Sequence, residues 1–447
     1  MAGLLGIIET AKKAINSSRA GMEVTSHNVS NVNTPCYTRQ KIELTSTDVL
    51  SSKHGMINAG VRVSGIRQVR DEFIEGEIRR VFNLLGSYSV EKEFFSRIET
   101  LLNEPSEVGL GQLFENFFNS FDDLSKNPED RATRVTVVQA GKALAQRFND
   151  IFNGLVGIKK DIIASLDAKL KNINQIIEEL GNLSRTAVNL YNSGSEINDV
   201  RDKINQKLKE LSNLADVVVS YDENGGVKVS IGGVTVVDRN FTQTVALKFV
   251  DGQAKIISVK GESEVKLNSG EVFVLQNLFN ELIPDVMQKF DDLAKNLIKK
   301  VNDFHKVGYA LDGTTGIDFF GGTGAGSIQV NKIILDDPAK ISASINGDVG
   351  NNEVALAISS LRNETKILGF YNSIVSDIGL RSRISSDNEN LHRMILNQLE
   401  SQRDAVSGVS IDEEMLNMIK FQKMFEASAK VIQTVNEMID AVLSMVR

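Results

Sequence analysis

The chain has 447 residues, 41% of them hydrophobic, and its 50 Lys+Arg against 58 Asp+Glu leave a net charge of −8. That length holds two to four domains, the acidic balance argues against nucleic acid and acidic lipid as partners, and no apolar run approaches the roughly 20 residues of a membrane span. The single cysteine rules out an intrachain disulfide, and the opening MAGLLGIIETAKK has no basic leader, so no cleaved secretory signal is expected.

Residues 4–29 place Leu4, Ile8, Ala11, Ile15, Ser18, Met22, Thr25 and Val29 alternately four and three apart. This spacing predicts an amphipathic helix with a thin, partly polar seam. In the next stretch, Asn28, Ser30, Asn31, Asn33 and Thr34 favour turns over helix. Pro35 presets a turn whose next position suits glycine if the turn is type II, yet Cys36 stands there. Tyr37 to Leu44 and Val61 to Ile66 then alternate in strand fashion.

From about 70 to 214 the pattern is helical, with segments expected over 71–102, 110–125, about 131–191 and 196–214. The second carries Leu113, Phe114, Phe117, Phe118 and Phe121 on one side; the third has a heptad seam of Ile163, Leu166, Leu170, Ile173, Ile177 and Leu180. At Asp216 the composition changes. Asn224-Gly225 and Gly232-Gly233 between β-branched runs are hairpin signals, and a small all-β insert is expected to close near Ser269. Helix is expected again over 272–306 with a break at Pro284, then a Gly-rich loop over 308–326, a strand over 328–335, and helices over 351–368 and 382–406.

The last stretch carries the strongest pattern. Ile411, Met418, Phe425, Ile432, Ile439 and Val446 recur every seven residues, with Met415, Phe421, Ala429, Val435, Val442 and Leu443 three or four places on and no Pro or Gly between. One continuous helix of roughly 50 Å is expected. Two weak stripes at opposite ends of one chain are natural partners, so the termini are expected to form an antiparallel pair. Both are expected to stay mobile in a free monomer and to order against neighbouring subunits.

Chemistry is sparse. His27, His54, His305 and His392 have no second ligand nearby in sequence, and neither HxxxH nor CxxC occurs, so no metal or cofactor is expected. GGTGAGS at 321–327 lacks the Gly-Lys-Ser/Thr ending of a phosphate cradle and reads as a loop. DGTTGID at 312–318 lacks EF-hand spacing. Asp412, Glu413 and Glu414 sit where carboxylates complement a helix dipole. Cys36 has no residue placed to activate it. No constellation requires an enzyme.

With these residues in view, SHNVSNVNTPCYTRQ resembles the asparagine-rich signature of flagellar axial proteins, through Asn28, Asn31, Asn33, Thr34, Pro35, Tyr37, Arg39 and Gln40; the signature's glycine is Cys36 here. The stretch SGVSIDEEMLNMIKFQKMFEASAKVIQTVNEM is similar to their C-terminal pattern. The blocks LFENFFNSFDDLSKNPED, INDVRDKINQKLKELSNLADV and KKVNDFHKVGYALDGTTGIDFF point to the hook-associated protein 1 family of the hook–filament junction. The resemblance implies a structural subunit, exported unfolded without signal cleavage, located outside the cell at the distal hook end and assembled through its terminal helices. It implies as partners the hook protein, the second junction protein, further copies of itself and an export chaperone on the C-terminal helix. A hook or rod subunit, a cytosolic coiled-coil scaffold and a cell-wall enzyme are the alternatives.

The expected architecture is mainly α with a β insert. It comprises a coiled-coil-like terminal domain (1–45 and 407–447), a discontinuous helical bundle (46–215 and 270–406) and an inserted all-β domain (216–269). The expected assembly seam is Leu4, Ile8, Ala11, Ile15, Met22, Val29, Ile411, Met418, Phe425, Ile432, Ile439 and Val446.

Overall fold

The computed structural model describes residues 2–34, 36–46, 49–52, 55–58, 60–239 and 241–445; Pro35, His54 and Val446, singled out above, lie outside them. Helix α1 (Ala2–Ser30) opens the chain. After its loop come strands β1 (Gln40–Ser46), β2 (Val49–Ser52), β3 (Gly55–Asn58) and β4 (Val61–Gln68), pairing antiparallel as β1 with β4 and β2 with β3. The β1–β4 ladder lies against α1, where Ser17 donates a hydrogen bond to the Val61 carbonyl.

The body begins at α2 (Glu72–Leu102), capped by the Asp71 carboxylate, which accepts from the N–H groups of Phe73 and Ile74. Gly76 and Gly86 do not break it. Gly86 is where α2 meets α5 too closely for a side chain, since a Cβ there would stand 2.5 Å from the Asn213 carbonyl oxygen. Helix α3 (Leu110–Lys126) buries Phe114, Phe117, Phe118 and Phe121 completely. The Phe117 ring lies 5.6 Å from Phe319 and 5.3 Å from Phe320, clamping the later loop onto the bundle. Helix α4 (Arg131–Asn192) is the spine: 62 residues, or roughly 93 Å at 1.5 Å per residue. Ile162, Leu166, Leu170, Ile173, Ile177 and Leu180 are buried along it. Helix α5 (Asn198–Leu214) packs on α2 and α4.

Strands β5 (Val217–Tyr221), β6 (Val227–Ile231), β7 (Val234–Asp238) and β8 (Phe241–Thr242) form one antiparallel sheet in that order, and β9 (Val245–Val250) pairs with β10 (Gln253–Ser258). Gly225, Gly232 and Gly233 take positive φ at the two predicted turns. The inward residues Val227, Val229, Val237, Val245 and Ile256 belong to the same continuous hydrophobic core as the helices.

Helix α6 (Glu271–Asn277) passes through a π-helical turn (Leu278–Leu282) into α7 (Ile283–His305). The break expected at Pro284 is absent, because the wide turn just before the proline absorbs its missing N–H and its ring. Strands β11 (Phe320–Gly321) and β12 (Gln329–Val330) pair over two residues only. The strand expected over 328–335 stops because the Asn331 side chain accepts from the Ile333 N–H and starts the short α8 (Lys332–Asp336). Helix α9 (Glu353–Ser360) follows. Then α10 (Phe370–Ser407) begins well before the expected 382, since Tyr371, Ile374 and Ile378 continue its buried face. It runs antiparallel to α2, joined by Ser385–Glu91 and Lys92–Glu389 contacts of 3.0 and 2.7 Å.

The last helix, α11 (Ile411–Met445), packs along α1. Asn28 contacts Glu414 and Gly21 contacts Phe421, so the pair is antiparallel and forms an arm on the body. At Gly21 an added Cβ would fall 2.6 Å from the Phe421 ring, so the ring packs directly on the glycine.

Candidate functional site: the terminal arm and the polar clasp at its root

The inward side of α11 is Glu414, Met418, Phe421, Met424, Ser428, Ile432, Val435 and Ile439, all buried or half-buried. The face differs from the expected seam. Met418, Ile432 and Ile439 lie on it, whereas Ile411 (48% exposed) and Phe425 (37%) point outward. Met415, Leu416, Ile419, Val431, Met438, Val442 and Leu443 are exposed as well, mostly in two clusters, 411–419 and 438–443, with exposed Lys420, Lys423, Glu426, Lys430 and Glu437 between them. On α1, Ala11 and Val24 are buried and Leu4, Ile8, Ile15, Met22 and Val29 are half-buried; Ser17, Ser18, Gly21, Thr25 and Asn28 complete the buried side. The buried side of α1 is therefore about half polar.

The root of the arm is fastened instead by buried polar groups. Asn28, in the last turn of α1, uses its whole amide. Its Oδ1 accepts from the Gln40 N–H (2.9 Å) and the Tyr37 hydroxyl (2.8 Å), and its Nδ2 donates to the Gln40 carbonyl (2.9 Å) and to Glu414 Oε2 (3.1 Å). The three bonds to Tyr37 and Gln40 hold the start of β1 against the helix end, and the fourth joins it to α11. Asn31 donates to the His27 carbonyl, and Thr34 donates to Asn31; Asn33 and Thr34 are exposed. Cys36 adopts φ 61°. Of the two turns the sequence allows, the strained left-handed one is present, at a cost of about 1–2 kcal/mol for a residue with a Cβ. Burial pushes the Cys36 thiol up.

Arg39, only 8% exposed, closes the clasp. Its Nε donates to Glu414 (2.7 Å), NH2 lies 2.6 Å from the same carboxylate, and NH1 donates to Glu413 (2.6 Å). Burial alone would lower the pKa of this guanidinium; the two carboxylates outweigh it and hold the group above its usual value. Glu414, 2% exposed, is thus an ion-pair partner rather than merely a dipole-complementing residue.

The body side of the clasp comes from the first turns of α5. Thr38 donates through its N–H (3.1 Å) and its hydroxyl (2.8 Å) to Asp202, and Gln40 donates to Asp199 (3.1 Å). Gln68 donates to Asp202 (2.8 Å) and to the Asn198 carbonyl (2.9 Å). Burial raises the Asp202 pKa, opposed by the bonds from Thr38. Sequence reasoning did not single out Asp199 and Asp202. The only local signal was two acids three residues apart at a helix start, which a dipole reading would also satisfy.

Nothing in the clasp is arranged for bond-making chemistry. Among the described residues no group of three His, Cys, Asp or Glu side chains could hold a metal ion, and no helix is long and apolar enough to cross a membrane. His305 is fully buried with both ring nitrogens engaged: Nδ1 donates to the Ile317 carbonyl (2.7 Å) and Nε2 accepts from the Ser342 N–H (2.9 Å). Desolvation lowers its pKa to about 4. Asp312 pairs with Lys340, and Asp291 caps the Gly-rich loop at Ala325.

A helical body, a β insert and an arm made from both chain ends, apolar on its outer face, define an assembly subunit. Known proteins agree. The family described as the flagellar hook-associated protein FlgK helical domain matches residues 95–320, and that of the flagellar basal body rod FlgEFG protein C-terminal region matches residues 400–445. The chain belongs to the flagellar hook-associated protein FlgK family, whose members are structural proteins of the flagellum. It is 26% identical to flagellar hook-associated protein 1 of Bacillus subtilis (strain 168), over 98% of this chain and 97% of the relative. With the protein of that name from Escherichia coli (strain K12) it shares 22% identity, over 98% and 99%. The flagellar hook junction protein FlgK from Burkholderia pseudomallei, a solved structure, is similar over 55% of this chain and 46% of that one, at 18% identity and a TM-score of 0.47.

Proposed function

We propose that this chain is the structural subunit that joins hook to filament, carried out through the flagellar export channel and ordered at the distal hook end by its terminal arm. The observation that supports this is the exposed apolar surface near the two ends of α11, where Ile411, Met415, Leu416, Ile419, Met438, Val442 and Leu443 are all 47% exposed or more. A helix this apolar on two faces has one side for its own chain and another for a partner. Head-to-tail contacts between such arms do not close pairwise and so build rings or tubes. The hook protein, the second junction protein and neighbouring copies are the partners of that face, and an export chaperone covers it beforehand. In this reading the boundaries at 1–45 with 407–447, 46–215 with 270–406, and 216–269 separate the axial arm from the body and its outer insert.

The test is genetic and microscopic. Deleting residues 411–447 leaves a folded body that no longer supports filament growth, and a null strain shows hooks without filaments. Filaments on the truncated chain, or absent hooks in the null strain, would overturn the proposal. Phe425→Asp, on the outer face, abolishes incorporation while leaving the melting of the body unchanged.

A further inference from the structure

Between α2, the wide turn before α7, and α10, the body carries a groove of two adjoining pockets of about 240 and 250 Å³. Phe95, Leu278, Leu282 and Ile378 form its apolar floor, and Ile384, 49% exposed, its rim. The pockets follow α10 from Asp377 and Ile378 to Ile384 and Ser385 and share Arg381, so they stand about one helical turn apart. The charges are unevenly matched. Lys289 meets Asp285 at 2.9 Å and Asp377 at 3.7 Å, and Arg381 reaches Asp377 at 3.2 Å. Glu91 accepts from the Ser385 hydroxyl at 3.0 Å. Among the described residues neither it nor the exposed Glu281 has an ion-pair partner. Burial raises the Glu91 pKa, and the more distant Arg381 only partly opposes this. The groove is therefore apolar within and carries two unmatched carboxylates at its edge.

The exposed cluster at the start of α11 has the complementary pattern. Leu416 and Ile419, 68% and 51% exposed, are one turn apart, and Lys420 and Lys423 lie on the same side. Glu413 and Glu414 are already paired with Arg39. The other exposed cluster, Met438, Val442 and Leu443, is flanked by Glu437 and Asp440, which an acidic edge repels. We propose that the groove receives α11 of a neighbouring copy, with Leu416 and Ile419 in its two pockets and Lys420 and Lys423 against Glu281 and Glu91. Asp412, a turn before Leu416, then falls at the Lys289 end. A chain cannot fill its own groove. Glu414 holds Leu416 at the clasp, beside the start of α2, whereas Glu91 stands about 30 Å along that helix. Each copy thus offers one groove and one plug, a head-to-tail contact that repeats around a ring. This rests on the assembly reading and gives the 411–419 cluster its receiving surface.

The test places photoreactive p-benzoylphenylalanine at Asn277, which is exposed and lines both pockets, and irradiates assembled flagella. The expected product is a dimer of this chain linked to a peptide within 411–423, identified by mass spectrometry. The reciprocal probe at Lys420 should link to 274–285 or 377–385 of a neighbour. Glu281→Lys and Lys420→Glu should each remove most of the product formed from Asn277, and the two together should restore it. Probes that link only to another protein, to other parts of this chain or to nothing would overturn the inference while the assembly reading stands. So would a loss that the double variant does not repair. Absence of the parent protein from the flagellum would overturn both.

Discussion

Removing Glu414 should open the arm without touching the body. Its carboxylate is 2% exposed, takes two contacts from Arg39 at 2.7 and 2.6 Å, and accepts from Asn28 at 3.1 Å. Breaking a buried ion pair by deleting one partner costs about 3–5 kcal/mol, because the other charge is left without compensation. Here Glu413 still reaches Arg39 at 2.6 Å, so the lower end applies, and Glu414→Ala should cost the arm about 3 kcal/mol. At 1.36 kcal/mol per tenfold, amide exchange by local opening would quicken roughly 150-fold. Hydrogen exchange resolved by peptide reads this directly. In assembled subunits, where the arm is ordered, peptides from 1–30 and 411–445 should lose protection, and those from α3 and α4 should not. The double variant Arg39→Met with Glu414→Leu should recover much of the loss, since an apolar pair leaves no charge unmatched. Unchanged exchange in the arm, or equal loss in arm and body, would refute the clasp as the arm's fastening.

His305 predicts an acid-sensitive body. Its folded pKa of about 4 lies below the unfolded value of 6.5, so the unfolded chain binds the extra proton between them. The contribution is complete above pH 6.5 and disappears as pH falls toward 4, a loss of about 3 kcal/mol. Urea melts at stepped pH should show that slope in the parent and a flatter one in His305→Gln. Cys36→Gly relieves a left-handed residue at φ 61° and should stabilise the arm root by up to about 1 kcal/mol, visible as slower exchange over residues 28–40. Gly21→Val forces a side chain into the Phe421 ring and should loosen the arm by about 1–3 kcal/mol; added Phe421→Ala should restore part of it.

Where structure follows from local chemistry, the sequence was readable. The Asn224-Gly225 and Gly232-Gly233 turns fell where glycine's positive φ is needed, and the phenylalanines of 114–121 were buried as their helical spacing required. The early start of α10 and the helical turn replacing a strand at 332–336 depended on what those residues pack against, which no local pattern states. The clasp was the least readable part. Asn28 and Glu414 are 386 residues apart, and Thr38 and Asp202 are 164 apart. Each looks alone like an ordinary turn former or helix-start acid.

The placement of the α11 seam follows from the same cause. That helix carries large apolar residues on two faces, so a heptad count through Ile411 and Phe425 fits as well as one through Phe421 and Val435. What separates the faces is their polar members. Glu414 and Ser428 sit buried in the inner seam at 2% and 9% exposure, and a buried carboxylate must have its charge met by a fixed neighbour. Arg39 and Asn28 supply that neighbour within the same chain. The exposed residues Met415, Leu416, Ile419, Met438 and Leu443 demand only that water be excluded, and any apolar surface can do that. Buried polar residues therefore mark the side that pairs at home, and the exposed apolar clusters at 411–419 and 438–443 are left for assembly.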